Sequence, residues 1–524
     1  MAAVDLQAFA FAKGAPHHPL GIKRAAPPRK KKWSKRPLWQ QLSDDVVQLI
    51  FAHLSSTNCA QLQRLDRNTR GQAKRALRKH LGLGATQWQA FRAVVERGES
   101  IFLTGPPGTG KSHLLRTIAN SLDERYVLLT ASTGAAAEKI GAQTLHSAFC
   151  LGHDGPINVT QSIRQCRSGR RSGLFRVRTV VIDEVSMLTS DTLDAVLTVV
   201  DAVCARDRVQ FVLCGDPLQL GEVDSSCRDA ASRRPFWNAE LVTRVAKPYV
   251  LTENFRQDGN SHFASILNRA RVGKASERDV RWLLENSQPP TPAEPTFFQE
   301  SHIERVRRRW RQELNPRTLC LFCLRAMVDD FNQHSMRTLP GIAKEYPVVR
   351  YSGSSAQIQG RVVLKVGARV MLTRNPPNYE QLCNGSMGTV MCMSEHKVRV
   401  LFDMAGSRTI TRISTRNGDS MMLPLQVAWA ATIHKAQGAT LDRACVDLSF
   451  SFGRAQAYVA LSRVRDIKDL EILGLTLSKL NNVDKVALRW YNEIREVSEE
   501  RVAALEAAEA EYWNAPVAVA QGGV

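Results

Sequence analysis

The apolar residues of this chain fall into short unbroken runs separated by amphipathic stretches, the pattern of buried parallel strands alternating with helices. Ile101-Phe102-Leu103-Thr104 is the first such run. It passes through Gly105-Pro106-Pro107-Gly108-Thr109-Gly110-Lys111-Ser112 into His113-Leu114-Leu115-Arg116-Thr117-Ile118, which has the spacing of a helix with one apolar face. Further strands are expected at 125–130, 179–183 and 210–214, and a helix at about 86–97. This alternation predicts an α/β fold with a doubly wound sheet whose ligands gather at the C-terminal ends of the strands. After Asn384-Gly385 the period changes. Gly388-Thr389-Val390-Met391 and Val398-Arg399-Val400-Leu401-Phe402 are short alternating runs that predict a hairpin-rich β insertion near 384–424. Two helical stretches flank the body: one from 37 to 82, and a Glu- and Ala-rich one near 484–513 that reads as a surface helix.

Composition adds a partner class. The chain has 524 residues, long enough for two to four cores, and carries 71 Lys+Arg against 50 Asp+Glu, a formal net charge of +21. So positive a balance suits a polyanion, most simply nucleic acid. No run approaches the roughly eighteen apolar residues of a membrane-spanning helix. Eleven cysteines without a repeating spacing suggest a reducing compartment with buried thiols, and the Cys320-x-x-Cys323 pair has no second pair to complete a zinc site. Residues 1–36 read as a disordered basic tail. Its run Arg29-Lys30-Lys31-Lys32-Trp33-Ser34-Lys35-Arg36 serves as a solvated tail, a nuclear localisation signal or a loose nucleic-acid arm. A nuclear or other intracellular DNA-containing compartment is expected, with a mitochondrial one left open.

The Gly-rich turn between the first strand and its helix matches Gly-x-x-x-x-Gly-Lys-Ser. Gly105, Gly108 and Gly110 let backbone N–H groups, with that of Thr109, turn toward phosphate; Lys111 can reach the terminal phosphates and the Ser112 hydroxyl can bind Mg²⁺. Asp183 and Glu184 end the strand 179–183, the first suited to Mg²⁺ and the second to an attacking water. Gln219, in Gly215-Asp216-Pro217-Leu218-Gln219-Leu220, is placed to sense the γ-phosphate. Gln87 has the donor and acceptor that the edge of adenine needs. Arg256 and Arg463, on separate segments, are what closing a cleft on ATP would require. Thr133 and His146 follow strand ends where a phosphodiester backbone could approach, although the same residues also read as an ordinary helix start. Residues 150–175, with Arg164, Arg167, Arg170 and Arg171, read as a small insertion over a substrate channel.

The order of these motifs resembles the Pif-type (petite integration frequency) DNA helicases, of helicase superfamily one group B, from about Gln87 to Leu473. The resemblance rests on Phe-Leu-Thr-Gly-Pro-Pro-Gly-Thr-Gly-Lys-Ser, Thr-Leu-His-Ser, Ile-Asp-Glu-Val-Ser-Met, Gly-Asp-Pro-Leu-Gln-Leu and Leu-Thr-Glu-Asn-Phe-Arg-Gln. Farther along, Ala431-Thr432-Ile433-His434-Lys435-Ala436-Gln437-Gly438 and Tyr-Val-Ala-Leu-Ser-Arg-Val extend it. It implies two RecA-like P-loop domains with a small β-barrel insertion in the second, ATP and Mg²⁺ as cofactors, and 5′ to 3′ movement on single-stranded and tailed duplex DNA in repair, recombination or replication and telomere maintenance. By motif it makes Gln87 the adenine reader, Gly438 a nucleotide contact, Gln219 the link between hydrolysis and movement, and Arg256 and Arg463 arginine fingers. It makes Thr133, His146, Thr432, His434 and Lys435 DNA contacts.

Domain boundaries follow: a helical extension at 37–82, a RecA-like ATP-binding domain at 83–260, a second RecA-like domain at 261–480, and a C-terminal helix and tail at 481–524. The stretch Leu42-Ser43-Asp44-Asp45-Val46-Val47 with Ile50-Phe51 and Leu54 resembles an F-box, which would dock residues 37–82 on a ubiquitin-ligase adaptor; the same residues also read as a basic helical extension packing on the body or on DNA. Pro217 and Leu218 stand where the family commonly has an aromatic, and Gly221-Glu222 replaces a double proline. These departures lie beside the coupling region and put family-specific properties such as G-quadruplex unwinding in doubt. A RecD-type helicase of a recombination machine and an F-box adaptor that targets a ligase to DNA are the alternatives.

Overall fold

A computed structural model describes residues 77–152, 157–168, 172–204, 209–221, 235–253, 261–287, 310, 318–352, 355–374, 382, 384–414 and 420–514. The basic tail and all but the last residues of the F-box-like stretch lie outside these.

The first lobe is a parallel sheet covered on both faces. Helix α1 (Ala85–Val95) precedes β1 (Ile101–Thr104), and α2 (Lys111–Ser121) follows it. Then come β2 (Val127–Ala131), α3 (Gly134–Ile140), β3 (Gln143–Thr144), α4 (Val159–Arg167), β4 (Thr179–Asp183), α5 (Ser190–Val203), β5 (Gln210–Cys214) and β6 (Lys247–Val250). The strand order is β3-β2-β4-β5-β1-β6, with every pairing parallel. Alternation along β1 sends Ile101 and Leu103 to the α1/α2 face, against Phe91, Leu114 and Ile118, and Phe102 to the α5 face, against Val196, Val200 and Phe211. All four β1 residues are therefore buried, which is why the run reads as continuously apolar. Within the segment expected as a small insertion, α4 buries Cys166 in the α5-side core.

Helices α6 (Ser261–Arg271) and α7 (Glu277–Asn286) lead to β7 (Leu319–Phe322) and α8 (Arg325–Thr338). A long hairpin follows, β8 (Lys344–Ser352) with β9 (Ser355–Leu364), and then β10 (Arg369–Leu372), β11 (Met387–Met393), β12 (Lys397–Phe402), β13 (Gly406–Thr411), β14 (Ile413–Ser414), β15 (Ser420–Met422) and β16 (Leu425–Val427). The chain then returns through β17 (Ala430–Thr432), β18 (Ala444–Asp447), α9 (Gln456–Leu461) and β19 (Leu470–Leu473). The second lobe is the parallel sheet β17-β7-β18-β19. Its core holds Phe263, Ile266 and Leu267 of α6 beside Tyr458 and Leu461 of α9. The β insertion consists of two antiparallel sheets, β13-β12-β11-β10-β16 and β14-β15-β8-β9. It begins earlier than expected, because the 344–364 hairpin belongs with it.

The last element, expected as a surface helix, lies at the surface with one face packed on the body. Helix α10 (Lys485–Asn514) lies along β6 and against α1 of the first lobe. Trp490 stacks on Trp237 at 5.3 Å and meets Phe102 of β1 at 5.6 Å. Tyr491 and Ala487 close a small core with Leu218 and Val250. Farther along, the Ser498 hydroxyl accepts from Val250 N–H at 2.8 Å, and Glu509 accepts from Arg92 of α1 at 2.6 Å. The helix is thus a strap over the edge of the first sheet.

Candidate functional site

The P-loop forms because β1 ends at the sheet's C-terminal edge and its glycines permit the turn. Gly110 is left-handed, φ 75° and ψ 18°, and caps α2 without a side chain. A Cβ on Gly105 would stand 2.5 Å from the Leu251 carbonyl oxygen. Within the loop the Thr109 hydroxyl donates to Pro106 O at 2.8 Å, and Lys111 Nζ donates to Gly105 O at 2.6 Å and Pro106 O at 2.9 Å. Gln87 is buried under the loop. Its Oε1 accepts from Gly84 N–H at 3.0 Å and its Nε2 donates to Thr109 O at 2.8 Å. One backbone bond at each end fixes the amide under the loop, and each end keeps a second hydrogen-bonding position, a second N–H on Nε2 and a second lone pair on Oε1.

Beside the loop, Asp183 ends β4, buried, and accepts from Glu184 N–H at 2.9 Å. Glu184 itself is left-handed, φ 54° and ψ 43°, a conformation that costs a non-glycine residue about 1 kcal/mol and persists where its surroundings enforce it. Burial and the neighbouring Asp183 raise its carboxyl above the ordinary 4.5, against the opposing pull of Arg463, Lys111 and the Gln437 hydrogen bond. Gln219 donates through Nε2 to Asp216 at 3.3 Å, while its Oε1 is buried without a partner. Lys111, Ser112, Asp183, Glu184 and Gln219 line one pocket of about 260 Å³ with Gly108, Gly110, Gly438 and Arg463.

The last two come from the second lobe. Arg463 is buried just past α9 and is held by its own lobe: Nε donates to Val459 O at 2.8 Å and NH2 to Ser462 Oγ at 2.8 Å. Burial lowers its pKa, and the nearby Glu184 charge works against that shift. Gly438, at φ 79°, lets the chain pass so close that an added Cβ would sit 3.3 Å from Glu184 Oε1. Gln437 beside it donates to Glu184 Oε2 at 3.3 Å, a contact between lobes that sequence reading did not pick out. Arg256 lies outside the described residues.

The residues expected to touch a polynucleotide lie at two strand-end edges. Ala131 pairs with Thr144, so Thr133 and His146 each stand two residues past the same sheet edge, partly exposed. Thr432 pairs with Phe322, which puts His434 and Lys435 beside the start of α8 and its exposed Arg325. Burial lowers the His434 pKa below its ordinary 6.5, which favours the neutral, hydrogen-bonding ring. Burial, followed by the charge of Arg325, also lowers Lys435. The Asn384-Gly385 turn of the β insertion reaches the first lobe, since a side chain at Gly134 would collide with the Asn384 carbonyl oxygen. Trp310, the aromatic of the basic run Arg305-Val306-Arg307-Arg308-Arg309-Trp310-Arg311, is buried, its indole N–H donating to Glu471 at 2.7 Å.

Comparison with known proteins gives a consistent set of likenesses. The family described as PIF1-like helicase matches residues 82–281. The ATP-dependent DNA helicase Pif1 of Bdellovibrio bacteriovorus is 30% identical over 421 residues, covering 76% of this chain and 90% of that protein. The human ATP-dependent DNA helicase PIF1 is 32% identical over 440 residues, covering 79% of this chain. The chain spans only 64% of the human protein and 65% of the Xenopus laevis one. Among solved structures, Pif1 helicase from Candida albicans superposes with a TM-score of 0.64 at 27% identity, over 79% of this chain and 99% of that one. A Bacteroides Pif1 in complex with ADP-AlF3 and ssDNA shares the fold, with a TM-score of 0.62 at 24% identity over 79% of this chain and 97% of that one.

Proposed function

The chain belongs to the PIF1-like helicase family, and on that premise we propose that it is an ATP-hydrolysing DNA helicase that moves 5′ to 3′ on single-stranded DNA and unwinds tailed duplexes. One observation carries the reading: a single pocket between two lobes brings the phosphate loop, two acids, Gln219 and the second lobe's Arg463 together. The RecD-type and adaptor alternatives are not favoured by the comparisons.

The chemistry follows from what each group can do. Backbone N–H groups at the α2 N-terminus bind phosphate oxygens. Lys111, held here on two loop carbonyls, moves onto the terminal phosphates, exchanging neutral acceptors for charged ones. Ser112 and Asp183 offer the hard oxygen donors that suit Mg²⁺. Bound there, Mg²⁺ would neutralise charge on the β- and γ-phosphates. Glu184 orients a water and takes its proton, and its raised pKa makes it a better base than an exposed carboxylate. Arg463 places a cation by the pocket from the other lobe; in well-studied nucleotide hydrolases such an arginine is worth roughly 10³ to 10⁵ in rate. Because Gln437 touches the base and Arg463 lines the pocket, lobe closure assembles the site. The Thr133/His146 edge and the Thr432/His434/Lys435 edge sit on different lobes, so the same closure shifts two grips on a DNA strand relative to each other.

The test is ATP hydrolysis with and without single-stranded DNA in Lys111→Ala and Arg463→Ala. Both variants are expected to lose DNA-stimulated turnover, Arg463→Ala by about 10³, while salt-sensitive DNA binding persists. Turnover equal to that of the unaltered protein would refute the site.

A further inference from the structure

Asp216 lies at the centre of a buried cluster that the mechanism above does not use. Its Oδ1 accepts from Arg271 NH2 at 2.7 Å and from Leu218 N–H at 3.1 Å. Its Oδ2 accepts from Arg271 Nε at 3.0 Å and from Gln219 Nε2 at 3.3 Å. Asp216 and Arg271 are 0% and 3% exposed. Arg271 ends α6, a helix rooted in the second lobe's core, and its guanidinium lies 4.2 Å from the ring centroid of Tyr491 on α10. The pair therefore joins the first lobe, the second lobe and the strap at a point in direct contact with a pocket residue.

A carboxylate so engaged can only accept, so the Gln219 amide must turn its NH2 end inward. Its oxygen is then the free end, buried without a partner on a side chain that lines the pocket. A neutral carboxyl could donate instead and hold the amide the other way round. We propose that Arg271 is a positioning residue: by occupying both oxygens of Asp216 from the second lobe, it fixes the Gln219 amide with its oxygen available to the reacting nucleotide and water. Burial alone would push the Asp216 carboxyl up, and the Arg271 charge and hydrogen bonds reverse that, holding it below the ordinary carboxylate range. The orientation of a first-lobe pocket residue thus depends on where the second lobe and strap stand. This inference rests on the helicase reading of the pocket.

The experiment measures DNA-stimulated ATP turnover of the full chain carrying Arg271→Met, Arg271→Lys, Gln219→Ala, and Arg271→Met with Gln219→Ala. Arg271→Met is expected to lower kcat about tenfold or more, with KM for ATP changed less than about threefold. Arg271→Lys keeps the cation but offers Asp216 no planar fork, so it recovers only part of that loss, whereas a role of charge neutralisation alone would be restored in full. The double variant is no slower than Gln219→Ala alone, because the arginine acts through the glutamine. Should Arg271→Met fail to fold, Asp216→Leu with Arg271→Met replaces the buried pair by apolar groups of similar size and is expected to show the same kcat loss. Unchanged kcat in the folded variants, or losses that multiply in the double variant, overturns the proposal. An unaltered protein that hydrolyses no ATP with DNA present overturns the helicase reading beneath it, a distinguishable result.

Discussion

Replacing Glu184 by glutamine should make this protein sturdier and idle at once. The carboxylate is surrounded by protein beside Asp183, and burial and that like charge raise its pKa. Glutamine keeps the length, still accepts from Gln437 at the position now bonded at 3.3 Å, and removes the charge that the site disfavours. It also removes the proton acceptor. General base catalysis is worth about 10²–10⁴ in rate, so the barrier should rise by roughly 3–5 kcal/mol. The stability effect has a definite sign with pH. A carboxyl raised in the folded state is neutral in both states well below 4.5, where the two proteins should be equally stable. As pH rises the unfolded chain ionises first, the unaltered protein loses ground, and the advantage of Glu184→Gln grows until the folded carboxyl has also ionised. Thermal unfolding from pH 5 to 8, alongside DNA-stimulated ATP turnover, measures both. A variant less stable than the parent at pH 8, or one that retains its turnover, would refute the assignment of Glu184 as a base whose charge the buried site disfavours.

Turnover of the unaltered protein should itself fall on the acid side through a group titrating above 4.5, and that limb should vanish from the residual activity of Glu184→Gln. Trp490→Ala should destabilise the fold by about 2 kcal/mol, part of the 3–5 typical of a fully buried tryptophan, since the residue is half-buried against Trp237 and Phe102; urea unfolding reads this, and no change would mean that the strap does not hold. If Lys435 meets a DNA phosphate, Lys435→Ala should weaken single-strand binding for all sequences and reduce the slope of log K against log salt by about 0.7, as fluorescence anisotropy across a salt series would show.

The chemistry-bearing residues of the first lobe were legible because each sits within a few positions of a buried strand's end. The run Ile101–Thr104 announces Lys111 and Ser112, and the strand ending at Asp183 announces Glu184. What remained hidden depends on packing between distant segments. Arg271 and Asp216 are 55 residues apart and Gln437 and Glu184 are 253 apart, so neither pair leaves a local signal. The 344–364 hairpin was obscured by Pro347, which reads as a strand breaker yet pairs with Arg361 in the ladder. The buried face of helix α10 was hidden because its Glu- and Ala-rich composition outweighed the few positions, Ala487, Tyr491 and Ser498 among them, that form it. Gln87 was legible as a residue beside the P-loop, but its backbone bonds to Gly84 and Thr109 left no signal in the sequence.

The central claim is that ATP hydrolysis between these two lobes drives movement along one DNA strand in one direction. The most direct measurement is strand separation of a duplex bearing either a 5′ or a 3′ single-stranded tail, with ATP, for the unaltered protein and Glu184→Gln. Unwinding of the 5′-tailed duplex alone is expected, abolished by the substitution. Unwinding that prefers the 3′ tail, or that survives loss of the base, would contradict it.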